Sequence, residues 1–256
     1  MDNTRKNWTR EETMLAFELY CIIPSGQDTI TNEHILSLAK AIGRTPSSVK
    51  LKLQNFKSYD PSYISDGRVG LSHGSKLDKE VCNDFLHNWD SLILETAEIK
   101  KHFEIPQFET ESYGAEMIIP IGGDKVRGRK ERVGQVFFRR AVLSAYSGMC
   151  CITGISNSAL LRASHIKPWS ISNDINEKTN PQNGILLNAL HDAAFDKGLL
   201  TISLNYKIMV SSQLMNQNES NRLFFERYNG QEISKPTRFL PARKFIEYHN
   251  DVVFKR

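Results

Sequence analysis

Apolar residues in the first sixty positions recur at helical spacing in three short runs. Thr9 and Glu12 form a T-x-x-E capping box, and Leu15, Leu19 and Ile22 follow on one face before Pro24 and Gly26 stop the run. Ile35, Leu38, Ala39 and Ile42 share a face of a second helix over roughly Asn32 to Ile42. After a turn at Gly43-Arg44, Thr45 caps a third helix with Pro46 in its first position and Val49, Leu53 and Phe56 on its inner side. Helix, glycine turn, helix is the helix-turn-helix order, which predicts a third helix that reads DNA. Ser47, Ser48, Lys50, Lys52, Gln54 and Asn55 would then face outward, with Lys50 and Lys52 on phosphates. The competing reading is a plain three-helix bundle with a solvated polar face.

Residues 60–76 are rich in Gly, Ser and Pro and read as a loop. A long helix is expected from Leu77 to Phe103, with Val81, Phe85, Leu92 and Ile99 along its apolar side and Trp89 beside them. That side packs either inside the protein or against a second copy, so a homodimer is one expected assembly. Residues 104–124, with Pro106, Gly114, Pro120, Gly122 and Gly123, read as a linker. Further on, Leu161 to Ile166 reads as a strand ending at His165, Pro168 to Gln182 as a loop, and Ile185 to Leu187 as a return strand. A helix over Asn188 to Asp196 stops at Gly198, and Leu199 to Ser211 alternates as a second hairpin. The expected fold class is α+β: a three-helix domain over 1–60, a connector over 61–124, and a domain built around β-β-α over 125–256.

Charge sharpens this division. The net charge of the 256-residue chain is +4, but residues 1–60 hold eight Lys/Arg against seven Asp/Glu, residues 61–124 five against twelve, and residues 125–256 twenty against ten. The basic C-terminal half is expected to face a polyanion, with Arg127, Arg129 and Arg162 as contacts alongside Lys50 and Lys52. No run of about eighteen apolar residues occurs, so no membrane span is expected. The charged start, MDNTRKNWTREE, does not read as a secretory signal, and a cytoplasmic protein is expected. Cys21, Cys82, Cys150 and Cys151 show no disulfide spacing and read as reduced, buried thiols.

The segments GQVFFRRAVLSAY, CCITG, LLRASHIKPW and NPQNGILLNALHDAAFDKGLLTIS resemble the HNH endonuclease domains of bacterial restriction-type proteins. The N-terminal WTREETMLAFELYC and LAKAIGRTPSSVKLKLQNFKSYDPS resemble the helical domain that precedes such nucleases. The resemblance implies a ββα-metal fold, a DNA substrate and one divalent cation per site, Mg²⁺ or alternatively Mn²⁺. By position, His165 corresponds to the general base, Asn183 to the structural asparagine and His191 to the metal-binding histidine. Many such sites carry Asp or His directly before the base, whereas this chain has Ser164. Asp196 is taken as a metal ligand beside His191, with Asp192 and the Ser164 hydroxyl as further substitutes. The absence of any CxxC pair excludes a four-cysteine zinc knot, and no structural zinc is expected.

These residue types suit the chemistry. Phosphodiester hydrolysis needs an activated water and a cation on the developing charge. An imidazole is a competent base near neutrality, a neutral ring nitrogen binds divalent ions, and an asparagine can both donate and accept to tie a loop. Two other functions fit less of the pattern. A DNA-binding regulator with a degenerate nuclease domain would account for Ser164 but not for His165, Asn183 and His191 together. An RNA-cleaving enzyme would leave the helix-turn-helix pattern without purpose.

Overall fold

The computed structural model describes residues 6–61, 64, 74–105, 125–172 and 175–256. The chain divides into two compact units, residues 1–110 and 111–256. Among the described residues no helix is long and apolar enough to cross a membrane.

In the first unit, α1 (Arg10–Ile22) starts on the expected capping box, with Thr9 Oγ1 accepting from the Glu12 amide at 3.2 Å and Glu12 Oε2 from the Thr9 amide at 3.0 Å. The Asn32 side chain caps α2 (Glu33–Ala41), and Thr45 caps α3 (Pro46–Lys57). Two further helices, α4 (Lys76–Phe85) and α5 (Trp89–His102), follow in this unit. All four pack on α1, which is buried from Glu12 to Ile22. Phe17 sits at the centre, edge-on to Phe56 with ring centroids 5.2 Å apart and stacked on Trp89 at 6.4 Å. A helix buried all round also buries its acids, and buried charges need partners. Arg44 takes Glu12 at 2.6 Å and Lys100 takes Glu18 at 2.7 Å.

Two expectations for this unit are corrected. The single helix over Leu77–Phe103 is two helices, because a bend over Leu86 to Asn88, with Asn88 at φ −141°, ψ 59°, separates α4 from α5. The bend lets Val81 and Phe85 on one helix and Trp89, Leu92 and Ile93 on the next all bury within the unit. Val81, Phe85 and Leu92 of the apolar stripe are therefore buried in the unit's own core, while Ile99 is half-buried. Lys52 does not face outward either. Its ammonium lies 2.5 Å from Asp78 on α4, both side chains are buried, and Asn55 donates to the other Asp78 oxygen at 3.1 Å. The pair forms because Asp78 is fully buried and needs a counter-charge. On the outer side of α3, Ser47 and Leu51 are exposed and Lys50 and Gln54 partly so.

The second unit opens with α6 (Lys125–Ala145), a helix that the basic pattern alone did not announce. The side chains of Arg127 and Arg129 lie outside the described residues. From Phe137 onward Phe138, Ala141, Val142 and Ala145 form a buried stripe on α6. It packs on an antiparallel hairpin of β1 (Leu161–His165) and β2 (Gly184–Asn188), registered from Leu161 opposite Asn188 to His165 opposite Gly184. The expected loop between them contains 3₁₀ turns and a short helix, α7 (Ile175–Thr179). The helix α8 (Ala189–Asp196) follows β2 directly, capped by Asn188, and packs on both strands. With one helix packed on each side, β2 is buried along its whole length. A second hairpin, β3 (Leu200–Ile202) with β4 (Ile208–Val210), lies where alternation placed it. Helices α9 (Glu219–Phe224) and α10 (Arg243–Tyr248), the latter running into a π-helical turn over His249–Val253, end the chain.

Gly198 stops α8 at φ +70°, and a side chain there would strike the Val253 carbonyl, so both backbone sign and space require glycine. Gly184 has an ordinary extended backbone, φ −119°, ψ 145°. Its lack of a side chain serves close approach, because a Cβ would run into Val142 Cγ2 and the Phe138 ring.

Candidate active site

Strand pleating splits neighbouring residues of β1 between two environments. Ser164 points to α8, where its hydroxyl donates to the Asp192 carboxylate. His165 points to α6, where its imidazole stacks on Phe138 with centroids 3.8 Å apart and planes 10° from parallel. Trp169 meets the same imidazole edge-on at 5.4 Å.

The orientation of His165 is fixed by one hydrogen bond. Nε2 lies 2.9 Å from the backbone carbonyl oxygen of Lys178 on α7. A carbonyl only accepts, so Nε2 carries the proton in the neutral ring and Nδ1 carries the lone pair. Burial pushes the imidazole down to about 4, with the Lys178 charge adding to the depression and the Lys178 carbonyl opposing it. His165 is thus neutral, with an unprotonated Nδ1, throughout the physiological range.

Asn183 closes the loop that carries this carbonyl. It is fully buried, its Oδ1 accepts from the Lys167 amide at 2.8 Å, and its Nδ2 donates to the carbonyls of Lys167 and Glu177 at 3.1 Å each. Its own carbonyl accepts from the Ile166 amide at 2.8 Å. One side chain thereby ties the residues just after β1 to α7, one position before Lys178. Lys167 is bound to the same helix through Glu177 at 2.5 Å.

His191 is placed differently from the expectation. It is buried to 1% exposure, Nε2 lies 2.9 Å from the Phe224 carbonyl, and Nδ1 lies 2.9 Å from Asn188 Nδ2. Donation to the carbonyl puts the proton on Nε2, and acceptance from the amide occupies the Nδ1 lone pair. In this arrangement neither ring nitrogen offers a lone pair to a cation. Burial also lowers the pKa of this ring. His191 reads here as a neutral buried histidine that joins α8 to the end of α9.

The oxygen donors on this side are Ser164, Asp192 and, one turn along α8, Asp196. Desolvation raises the Asp192 carboxyl, against the Ser164 hydrogen bond and the Arg162 charge. Desolvation and then the charge of Asp192 raise Asp196 to about 6. Arg162, on the same face of β1, is half-buried and donates to the carbonyls of Ala159 and Leu161 at 3.0 and 3.1 Å. Among the described residues no three of His, Cys, Asp and Glu converge as a ligand set. All four cysteines are free and buried, and Cys150 Sγ accepts from Asn188.

Several residues of this site escaped the sequence reading. Asn188 enters the sequence reading only as the first residue of a helix, and the carbonyls of Lys178 and Phe224 carry no side-chain signature at all. Phe138 could have been found, since Phe137, Phe138, Ala141, Val142 and Ala145 repeat at helical spacing.

Residues 150–203 match the family model described as HNH endonuclease. That span contains β1, β2, α8 and β3, and therefore His165, Asn183, His191, Asp192 and Asp196. No curated protein matches the chain.

Proposed function

We propose that the second unit is a DNA endonuclease that hydrolyses phosphodiester bonds with His165 Nδ1 as general base. The observation that carries the reading is the bond from His165 Nε2 to the Lys178 carbonyl, within a segment that matches HNH endonucleases. It leaves a neutral imidazole with one defined lone pair at the end of β1. A water there loses its proton to Nδ1 as it attacks phosphorus, while Phe138 and Asn183 keep ring and loop in place. Asn183 is a positioning residue in this scheme, since it reaches the base through α7.

A divalent cation, Mg²⁺ or Mn²⁺, belongs to the same proposal. Ser164, Asp192 and Asp196 fit one in chemistry, being oxygen donors of net negative charge whose carboxyl pKa values burial raises, with the Asp192 charge adding to the rise at Asp196. His191 as arranged does not fit, because both ring nitrogens are committed. A bound cation would offset charge developing on the phosphate and the leaving oxygen.

The first unit would supply DNA affinity through the outer side of α3, with Lys50 among the phosphate contacts, and Arg162 would add one beside the site. Cleavage of both strands, as in restriction, would require two catalytic visits or two copies. Relaxation of supercoiled plasmid by the purified protein, present with Mg²⁺ and lost with chelator, tests the reading. Intact plasmid across Mg²⁺ and Mn²⁺ titrations would reject it.

A further inference from the structure

Lys178 has two separate relations to the base. Its carbonyl accepts from His165 Nε2, and its ammonium lies over the Trp169 ring, 4.9 Å from the centroid. Trp169 in turn touches the His165 imidazole edge-on. A fixed base and a cation thus both contact one indole.

The other lysine of this loop is neutralised, as Lys167 Nζ lies 2.5 Å from Glu177. Lys178 has no carboxylate partner within 4 Å among the described residues, and its charge is close enough to act on His165. A cation held on an aromatic face next to a base, without a counter-ion of its own, is a receptor for an anion. Indole also limits where the flexible lysine stem can go, which favours one position of the charge over many.

We infer that the Lys178 ammonium binds the phosphate attacked by the water that His165 deprotonates, with Trp169 as its support. The backbone of Lys178 then orients the base while its side chain orients the substrate. The α7 segment that Asn183 holds in place would thus set both partners of the reaction together. This inference rests on the nuclease reading for its meaning, but a phosphate contact can be measured without cleavage.

The test uses full-length protein carrying His165→Ala, with and without Lys178→Met, binding a duplex oligonucleotide over a range of salt. Methionine keeps the length of the stem and leaves the backbone carbonyl in place. Loss of one phosphate contact lowers the slope of log affinity against log salt by about one, and Lys178→Arg restores it. In the His165 background of the wild type, Lys178→Met should slow single-turnover cleavage about a hundredfold, the loss typical of one charge-stabilising donor. An unchanged salt slope for Lys178→Met would overturn the inference whether or not the protein cleaves DNA. A slope lowered by one in a protein that cuts nothing would retain the phosphate contact and reject the nuclease reading alone.

Discussion

Phe138 and His165 lie face to face, with ring centroids 3.8 Å apart, so the flat side of the proposed base rests on the buried stripe of α6. Phe138→Ala would open a cavity there and cost about 3–5 kcal/mol, as large-to-small core changes do. It should also admit water to the ring and raise the His165 pKa towards its usual value. Thermal unfolding checks the first effect and an NMR titration the second. A stability loss below about 1 kcal/mol with an unmoved titration would contradict the packing described.

Gly184→Ala is expected to be destabilising although the backbone at 184 suits any residue. The added methyl meets Val142 and Phe138, and overpacking of this kind costs about 1–3 kcal/mol. Displacement of Phe138 should lower cleavage beyond the stability loss, measured as kcat at a temperature where the variant remains folded. Wild-type rate and stability together would show that the contact is loose.

Lys50 and Lys52, two residues apart on α3, should behave in opposite ways. Lys52→Met leaves Asp78 buried without its cation and is expected to cost about 3–5 kcal/mol in denaturant unfolding. Lys50→Ala should leave stability within about 0.5 kcal/mol of wild type and reduce the salt slope of DNA binding by about one. If Lys52→Met were the variant that changed the salt slope at unaltered stability, the orientation of α3 would be wrong.

His165 and His249 are both held near 4 by burial, against an ordinary value of 6.5. The unfolded chain takes up protons below pH 6.5 that these folded rings refuse. Their contribution to stability is therefore intact above 6.5 and is lost as pH falls towards 4. Asp196, raised to about 6, has the opposite sign: its contribution is present at low pH and is lost as pH rises through 6. Imidazole resonances of His165 and His249 should stay in the neutral form down to pH 5. A transition of either ring near 6.5 in the folded protein would contradict this account.

Much of the scaffold was legible in the sequence because it is written in local chemistry. Thr9 and Thr45 cap helices where their side chains predicted, and His165, Asn183 and Gly198 fall at the strand end, loop closure and helix stop expected of them. What escaped depends on contacts distant in sequence. Lys52 looks like a surface cation until Asp78, on another helix, is placed against it. Nothing in the sequence around His191 signals the Phe224 carbonyl, thirty-three positions away, that lies 2.9 Å from its Nε2. The break between α4 and α5 was hidden because both halves keep a helical period, and only packing on α1 requires the bend.

His191→Ala should reduce stability by about 1–3 kcal/mol, the cost of leaving the Phe224 carbonyl without the His191 donor. Calorimetric affinity for Mg²⁺ or Mn²⁺ should be nearly unchanged in the folded variant, whereas Asp192→Asn should weaken it. Loss of cation affinity in His191→Ala alone would return the ligand role to His191.

The central claim is that His165 is the base, and single-turnover cleavage of a duplex oligonucleotide by His165→Ala tests it most directly. The account predicts a rate lower than wild type by about 10²–10⁴-fold, the usual contribution of a general base, with duplex affinity preserved. Cleavage within threefold of wild type, at equal affinity and in a folded protein, would contradict it.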